Sequence, residues 1–436
     1  MIISRPLKTA ARFLVGFVAP LAAVLLPAPA AHAQSVYPTP YTFTTFAGTP
    51  YVPGGANGTG AAAQFYAPGG VATDASGNIY VADQLNNTIR KVTPAGVVTT
   101  LAGTPGVIGS NDGTGPAAQF NSPLGVAVDG SGNVFVADTS NDTIRKITPG
   151  GVVTTFAGTA GGLGNNDGTG AAAQFNNPIG VVVNGSGTLF VVDQVNHTVR
   201  QITSAGVVTT FAGTAGVPGS IDGQGIIARF RYPAAIAMDG SGNLYIGDGG
   251  NSTVRMITPS GAVTTLAGTA GKNGSTDGTG AAARFYAPQG VAVDGSGNVY
   301  VCDYDNILIR KIAPGGVVTT ISGVLQTPGF VDGTGTAAEY NYPFGIGTDT
   351  SGNIYIADTG NNTIRKMAPG VVVTTLAGTP GSGYTDGTGS SARFNYPTDM
   401  ALDPSGNLYV VDNTNCTIRK ICLLYTSTSG CSSSSR

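Results

Sequence analysis

The sequence has 436 residues, and its 67 glycines and 26 prolines make it rich in turns, yet a hydrophobic share of 41% can build a core. Charged residues are sparse, with 21 Lys and Arg against 23 Asp and Glu and a formal net charge of −2. Contact with a nucleic-acid backbone needs clustered basic residues, so this composition argues against a nucleic-acid partner.

The segment 1–33 predicts a secretory signal peptide. Three basic residues precede an apolar run at 13–26, and the small residues Ala31 and Ala33 flank a cleavage point. The alternative is an uncleaved membrane anchor, but the apolar run is shorter than the roughly 20 residues that a span needs. We therefore expect a mature chain without a membrane span that is secreted, periplasmic or held at the cell surface.

The segment 41–47 (YTFTTFA) predicts a β-strand that stands alone, and a repeat follows it. The loosely kept marker Asn-x-Thr-Ile/Val-Arg recurs seven times and ends at Arg90, Arg145, Arg200, Arg255, Arg310, Arg365 and Arg419. The interval between copies is constant until the last one, which is shorter by a single residue. That residue is missing from a loop between Gly378 and Asp386, where a deletion leaves the strand register intact. Self-similarity at a fixed period indicates a repeat architecture.

Each repeat contains four short segments with β-strand composition. In the second copy they are strand a (125–129), strand b (134–138), strand c (143–147) and strand d (152–157). Val, Ile, Phe and Thr fill these segments, whereas Gly, Asn, Asp, Ser and Pro fill the turns between them. Four antiparallel strands repeated radially form the blades of a β-propeller.

The number of blades depends on how the ring closes. The a–b–c unit occurs seven times, but strand d follows only the first six units. The strand at 41–47 resembles strand d, and pairing it with the last unit removes two exposed sheet edges. We therefore predict an all-β fold, a β-propeller of seven four-stranded blades over residues 34–421, with six blades as the alternative count.

The segment 422–436 is predicted to be a non-native or disordered tail. Its first part, 422–427, resembles a translated transposon end of the kind used in sequencing libraries, and an ordinary Ser/Thr-rich tail is the alternative. Setting the tail aside leaves Cys302 and Cys416 in different repeats. Their spacing indicates neither a disulfide framework nor a metal site.

The segments 123–138 and 141–147 resemble the NHL repeat as it occurs in secreted bacterial β-propeller proteins. The resemblance covers about residues 41–421 and implies the propeller fold. Propellers of this type serve as protein- and RNA-binding platforms and as sensor ectodomains, and relatives include lyases and lactone hydrolases. Fold alone does not choose among these activities.

An Asp at the end of strand b recurs with an Arg in strand c. The pairs are Asp83 and Arg90, Asp138 and Arg145, Asp193 and Arg200, Asp248 and Arg255, Asp303 and Arg310, Asp358 and Arg365, and Asp412 and Arg419. A catalytic centre needs different environments for its acid and its base. Seven identical pairs favour a structural role, either between blades or in anchoring the turns.

A second acidic position recurs in the long connector that joins strand d to the next strand a. It holds Asn57, Asp112, Asp167, Asp222, Asp277, Asp332 and Asp386. We expect these side chains to cap the short turn that follows, with the neighbouring glycines supplying positive φ. No metal site is predicted. Calcium is the alternative, because it binds carboxylate oxygens.

Function is expected where the repeats disagree. The position after the connector proline holds Gly69, Leu124, Ile179, Ala234, Gln289, Phe344 and Thr398, and Asp399 replaces a glycine next to it. We expect these side chains to rim the channel mouth. Candidate ligand-binding residues are therefore Leu124, Ile179, Gln289, Phe344, Thr398 and Asp399, with neutral drift as the alternative explanation.

These observations predict a non-catalytic, monomeric binding or scaffold protein that recognises a protein, peptide or glycan through its connector face. The resemblance also suggests a lyase or a lactonase-like hydrolase with a divalent cation in the channel. His197 is the one histidine after the predicted signal peptide, whereas a catalytic zinc needs about three protein ligands. For the divalent cation, Glu339, Gln289 and Asp399 are the available residues.

Overall fold

The computed structural model describes residues 42–422. The predicted signal peptide (1–33) and the predicted tail (422–436) lie outside this range, except that Cys422 pairs with Asn407 as the last residue of a strand and so does not belong to the tail. The described residues form seven five-stranded sheets, each with its strands in the same spatial order. The predicted all-β, seven-bladed fold is therefore confirmed.

Each blade contains strands a to d in antiparallel order, with strand a innermost. Strand a spans Val71–Thr73, Pro123–Val128, Pro178–Val183, Ala235–Met238, Pro288–Val293, Pro343–Thr348 and Pro397–Leu402. Strand b spans Ile79–Asp83, Val134–Asp138, Leu189–Asp193, Leu244–Asp248, Val299–Asp303, Ile354–Asp358 and Asn407–Asp412. Strand a of the second blade begins two residues earlier than predicted, because Pro123 already pairs with Asp138.

The two outer strands complete each blade. Strand c spans Thr88–Val92, Thr143–Ile147, Thr198–Ile202, Thr253–Ile257, Leu308–Ile312, Thr363–Met367 and Thr417–Cys422. Strand d spans Val97–Ala102, Val152–Ala157, Val207–Ala212, Ala262–Ala267, Val317–Ser322, Val372–Ala377 and, for the seventh blade, Thr42–Ala47.

A fifth strand of two residues, not predicted from the sequence, lies outside strand d. It spans Gly58–Thr59, Gly113–Thr114, Gly168–Thr169, Gly223–Gln224, Gly278–Thr279, Gly333–Thr334 and Gly387–Thr388. One turn of 3-10 helix follows it at Gly60–Ala62, Gly115–Ala117, Gly170–Ala172, Gly225–Ile227, Gly280–Ala282, Gly335–Ala337 and Gly389–Ser391. The connector thus belongs to the blade that it enters.

The b–c turn forms a second 3-10 turn in five blades. It spans Gln84–Asn86, Thr139–Asn141, Gly249–Asn251, Tyr304–Asn306 and Thr359–Asn361. Its Asn141 donates a hydrogen bond to the carbonyl of Gly109 in the connector, at 2.7 Å. The b–c turns and the connectors therefore share one end of the blades, which we call the connector face.

The hydrophobic core lies between blades rather than within them. One cluster joins Phe135 and Ala137 of blade 2 to Leu189 and Val191 of blade 3. The innermost strands also approach closely: a Cβ on Gly125 would lie 2.3 Å from the carbonyl oxygen of the next blade's Ile179, so glycine is required there. Each blade consequently depends on both of its neighbours.

The ring is closed by the N-terminal strand. Thr42–Ala47 pairs antiparallel with strand c of blade 7, with Thr44 opposite Lys420 and Thr45 opposite Arg419. Ala47 is buried in the same cluster as Tyr409 of blade 7 and Ile79 of blade 1. The predicted closure is confirmed, and it pairs both sheet edges that would otherwise be exposed.

Candidate ligand-binding site

A cavity of about 750 Å³ opens where the innermost strands begin. Its walls combine the first residues of strand a with residues of the b–c turns, so it lies on the connector face. The sequence-predicted residues Leu124, Ile179, Gln289, Phe344, Thr398 and Asp399 all line it, together with Gly69 and Ala234. The position at which the repeats disagree therefore converges on one space.

The b–c turns contribute a second ring of lining residues that the sequence analysis missed. Gln84, Thr139, Gln194 and Asn413 each follow the recurrent Asp of strand b and face the cavity. Their position varies between repeats, as the channel-rim position does. Comparing the repeats at the residue that follows this Asp would have identified them.

The lining polar groups differ in how they are used. Thr139 donates to the carbonyl of Pro178 at 2.8 Å, and Asn413 donates to the carbonyl of Pro68 at 2.8 Å. These two side chains join neighbouring blades. Gln289 also lines the cavity, and among residues 42–422 its side-chain amide has no hydrogen-bond partner, so the amide is free to bond to a ligand.

Asp399 is the carboxylate that lines this cavity. Its Oδ2 accepts from the Val71 backbone N–H of blade 1 at 3.0 Å, and its Oδ1 accepts from the Met400 N–H at 2.9 Å. Burial raises the pKa of Asp399 to about 6, although the two backbone hydrogen bonds counteract part of that rise. The carboxylate thus bridges the last blade and the first while facing the channel.

The recurrent Asp and Arg residues lie in the interior of each blade. Every pair is fully buried, with an oxygen-to-nitrogen distance between 2.8 and 3.2 Å. In blade 2, Asp138 also accepts from the Asn121 N–H at 2.7 Å and from the Asn141 amide at 2.8 Å. Burial raises the pKa of Asp138 to about 6, with the Asn121 and Asn141 hydrogen bonds and the charge of Arg145 opposing the rise.

Arg145 fastens the connector to these strands. It donates to the carbonyl oxygens of Gln119 and Asn111 at 2.7 and 3.0 Å, and its guanidinium lies over the ring of Phe120. Both members of the pair belong to the same blade, so the contact anchors the connector and does not join neighbouring blades. These carboxylates are therefore committed within the fold and do not face the cavity.

The connector Asp does not cap the 3-10 turn, so that prediction is wrong. The N-terminal residue of that turn, Thr114, makes no capping hydrogen bond in blade 2. Asp112 instead accepts from Arg145 at 2.9 Å and from the Thr155 hydroxyl of strand d at 2.8 Å. The charge-assisted hydrogen bond from the arginine is stronger than one from a backbone N–H of the turn, so the carboxylate binds the arginine and the threonine. Gly115 supplies positive φ (55°) as expected.

His197 joins two blades. Its Nδ1 accepts from the backbone N–H of Tyr232 at 3.1 Å, and burial lowers the pKa of the imidazole. Asn87, Asp142 and Asn362 make the same contact in other repeats, to the N–H groups of Ser122, Asn177 and Tyr396. The imidazole nitrogen therefore replaces a recurrent amide or carboxylate oxygen in an interblade contact.

Three aromatic side chains form a cluster that the sequence analysis did not predict. The ring centroids of Tyr304 and Tyr342 lie 5.2 Å apart, and those of Tyr304 and Phe344 lie 6.0 Å apart. Tyr342 and Phe344 are 41% and 39% exposed. Phe344 connects this cluster to the cavity wall.

The residues named for a divalent cation are not brought together. Gln289 and Asp399 line the cavity, but Glu339 does not, because it pairs with Val331 within the connector of blade 6. Among residues 42–422, no three His, Cys, Asp or Glu side chains form a group that could hold a metal ion. The same part of the chain contains no helix long and apolar enough to cross a membrane.

Comparison with known proteins gives sequence and structural relatives. Residues 120–147, 285–312 and 394–421 match the NHL repeat. NHL repeat-containing protein 2 of Gallus gallus is 30% identical over 340 residues, which are 69% of this chain and 46% of that protein. SUPPRESSOR OF QUENCHING 1, a chloroplastic protein of Arabidopsis thaliana, is 27% identical over 339 residues, 71% of this chain and 31% of that protein. The chain thus spans less than half the length of these curated relatives.

Two solved structures resemble the chain in fold. A streptogramin B lyase superposes with a TM-score of 0.58 at 13% identity, covering 88% of this chain and 98% of the lyase. An auxiliary nutrient binding protein from Bacteroides thetaiotaomicron gives a TM-score of 0.51 at 17% identity, covering 88% and 77%. At such identities the likeness concerns the fold alone.

Proposed function

Because the chain is an NHL-repeat β-propeller, we propose that it is a non-catalytic binding platform whose connector face holds a protein, peptide or glycan partner. One observation carries this proposal: the side chains that differ between otherwise similar repeats converge on one cavity. Neutral drift, the alternative explanation, predicts that no ligand depends on these side chains.

The use of the recurring polar residues supports the same conclusion. Asp138 and Arg145, like their counterparts in every blade, are fully buried and bonded to each other and to the connector. Such groups hold the scaffold, and because they are fully buried a ligand cannot reach them. The partner must therefore be recognised by the residues that vary.

The composition of the cavity suits a binding site. Leu124, Ile179 and Phe344 supply apolar surface, while Gln289 and Gln194 supply amides that both donate and accept hydrogen bonds. Ligand pockets are typically roughly 300–1,000 Å³, mostly apolar and furnished with a few polar groups. The cavity of about 750 Å³ falls within that range.

A blocked cavity tests the proposal. Libraries of displayed peptides and arrayed glycans are screened with the purified chain, and each ligand found is measured again with Ala234→Trp, which fills the wall of the cavity. Ser131→Trp, in the exposed a–b turn, is the matched control because it adds the same side chain away from the connector face. We expect only Ala234→Trp to abolish binding. Ligands that bind both variants equally would refute the proposal.

We also propose that the propeller acts outside the cytoplasm, on the strength of the basic and apolar pattern in residues 1–33. Expression of the full chain followed by fractionation tests this. The mature protein should be recovered outside the cytoplasm with an N-terminus near residue 34. Recovery of the uncut chain in the cytoplasm would contradict it.

A small-molecule lyase or hydrolase is the second candidate, because Asp399 is a carboxylate that lines the cavity and has a pKa raised to about 6. A general base works best when its pKa lies near the operating pH. Turnover of lactone or cyclic-ester substrates that disappears in Asp399→Asn, with the thermal stability retained, would favour an enzyme. Metal analysis of the purified chain would show whether a divalent cation is bound.

A further inference from the structure

The departures from the repeat are concentrated where blade 5 meets blade 6. Tyr304 opens the b–c turn at a position that is Gln, Thr, Gly or Asn elsewhere, and Leu308 replaces a threonine that all other repeats keep. Ile307 adopts φ of 60°, a left-handed conformation that a β-branched residue adopts only with strain. The equivalent residues of other blades adopt the same conformation, with φ of 57° at Asn87 and 60° at His197, so this junction differs from the other six in its side chains and not in its backbone.

Ile307 also removes an interblade hydrogen bond. In other blades the side chain at this position accepts from the backbone of the next connector, as Asn362 does from Tyr396. An isoleucine cannot accept, so blade 6 is held at this point by apolar contact alone. The aromatic rings of Tyr304, Tyr342 and Phe344 gather at the same place.

These rings form a platform rather than a cage. Their centroids are 5.2 and 6.0 Å apart, so they pack against one another and leave no space between them for a cation. Exposed aromatic residues are common singly, but adjacent exposed rings beside a cavity indicate a contact surface. A flat apolar face of a ligand can stack on one exposed ring of this platform, since the rings are inclined to one another by 41° and 89°.

Small residues of blade 4 lie beside the amide of Gln289. Blade 4 contributes the small residues Ala234 and Gly249, whereas most other repeats have larger side chains at these positions. The amide of Gln289 packs near Gly249, since a Cβ on Gly249 would lie 3.8 Å from its Nε2. A group with hydroxyls at its edge would find a donor and an acceptor on that amide.

The charge of the site selects against anionic ligands. Within the described chain, neither lysine nor arginine lines the cavity, and the one lining carboxylate is Asp399. Asp305, whose charge acts on Tyr304, adds a second negative group near the platform. A phosphorylated or sulfated ligand would meet repulsion without compensation.

From this arrangement we infer that the junction of blades 4 to 6 binds a neutral carbohydrate, with one sugar ring stacked on Phe344 and hydroxyls bonded to Gln289. A sugar ring has an apolar face and edges that both donate and accept hydrogen bonds, which matches the platform and the amide. The inference rests on the proposed function and names the ligand class for that cavity. A cavity of about 750 Å³ has room for more than one ring.

The test is calorimetric titration of the full chain with cellohexaose, xylohexaose, maltohexaose and chitohexaose. At least one should bind, and Phe344→Ala should weaken it at least tenfold, as truncation of a central aromatic contact does. Val317→Ala is the control, because it truncates an exposed apolar side chain at the start of strand d of blade 5, at the end of the blade opposite the connector face, and it should change the affinity less than twofold. Thermal unfolding of both variants establishes that they are folded.

A second variant addresses the polar contact. Gln289→Ala should weaken the same sugar roughly fivefold to tenfold through the lost hydrogen bond, and Gln289→Asn should recover part of the affinity. Sulfated oligosaccharides of equal length should bind more weakly than the neutral ones. Stronger binding of the sulfated series would overturn the inference.

The remaining outcomes separate this inference from the broader proposal. Binding of a hexasaccharide that is unchanged in Phe344→Ala refutes the platform. If none of the four sugars binds but a displayed peptide binds and is lost in Ala234→Trp, the carbohydrate class is wrong and the connector-face proposal stands. If no ligand of any class depends on residue 234, both fail.

Discussion

The buried charge pair in each blade gives a quantitative prediction. In blade 2, Arg145 contacts two aspartates: Asp138 at 3.0 Å, which is fully buried, and Asp112 at 2.9 Å, which is half exposed. The same guanidinium thus has one partner in the interior and one at the surface. Replacing each in turn by asparagine separates the effect of burial from that of distance.

Asp138→Asn should be strongly destabilising. It removes the buried counter-charge of Arg145, and an amide nitrogen would face the donors of Arg145 or Asn141. An uncompensated buried charge costs about 3–5 kcal/mol. With an unfolding entropy of about 2.1 cal/mol/K per residue over roughly 380 residues, that cost lowers Tm by about 4–6 °C.

Asp112→Asn should be nearly neutral, because blade 1 already carries this arrangement. Asn57 accepts from Arg90 at 3.0 Å and from Thr100 at 3.0 Å, as Asp112 does from its own partners. An exposed pair contributes about 0–1 kcal/mol, so we expect a Tm shift of about 1 °C or less. Calorimetry of both variants at pH 7.5 and one scan rate measures the difference, and equal shifts would refute the reasoning.

Three further predictions follow from other contacts. Asn87→Ala should lower the free energy of unfolding by about 1–2 kcal/mol, because the Ser122 N–H loses its acceptor and alanine is disfavoured at φ of 57°. Asn87→Asp introduces the residue that blade 2 carries as Asp142, and its unfolding in denaturant should match that of the wild type. The stability of Asp399→Asn relative to the wild type should rise by up to roughly 3 kcal/mol from pH 4 to pH 7, because asparagine does not titrate, whereas its loss of one backbone hydrogen bond is the same at both pH values. The sign follows because the pKa of Asp399 in the folded state, about 6, lies above its ordinary value. Protonation of Asp399 therefore stabilises the wild type at low pH, and this stabilisation is lost as the pH rises through 6. A stability difference between variant and wild type that stays constant from pH 4 to pH 7 would count against the prediction. Deletion of residues 1–47 should expose strand c of blade 7 and give dimers or larger species in size-exclusion chromatography, and a monomer with unchanged Tm would contradict the closure.

Much of the fold is predictable because the strand pattern is local and repeated. Strands b, c and d of the second blade begin and end at the residues expected from the sequence, since β-branched runs and turn residues alternate sharply there. The fifth strand could not be recognised, because two residues such as Gly113–Thr114 carry no periodicity. Its formation depends on pairing with Val152 and Val153 of strand d, which follow in the chain only after strands a, b and c.

The channel-rim residues were predictable from the sequence, whereas other residues of the site were not. Comparing repeats at one position identified Phe344 and Gln289, because variation within a regular array needs no three-dimensional information. The aromatic platform was not predicted from the sequence, because Tyr304 and Tyr342 belong to different elements of adjacent blades and meet only when the ring is assembled. The role of Asp112 also escaped, because its competing partners in strands c and d are distant in sequence.

The most direct test of the central claim is a propeller whose channel rim is made more uniform, with Gly69 and Ala234 left in place. Ile179, Gln289, Phe344 and Thr398 are all replaced by the leucine that blade 2 already carries at residue 124. If function resides in the differences between repeats, this variant should retain the circular dichroism and the thermal unfolding of the wild type within a few degrees, while ligand titration shows no binding. Unchanged affinity in this more uniform ring would contradict the account.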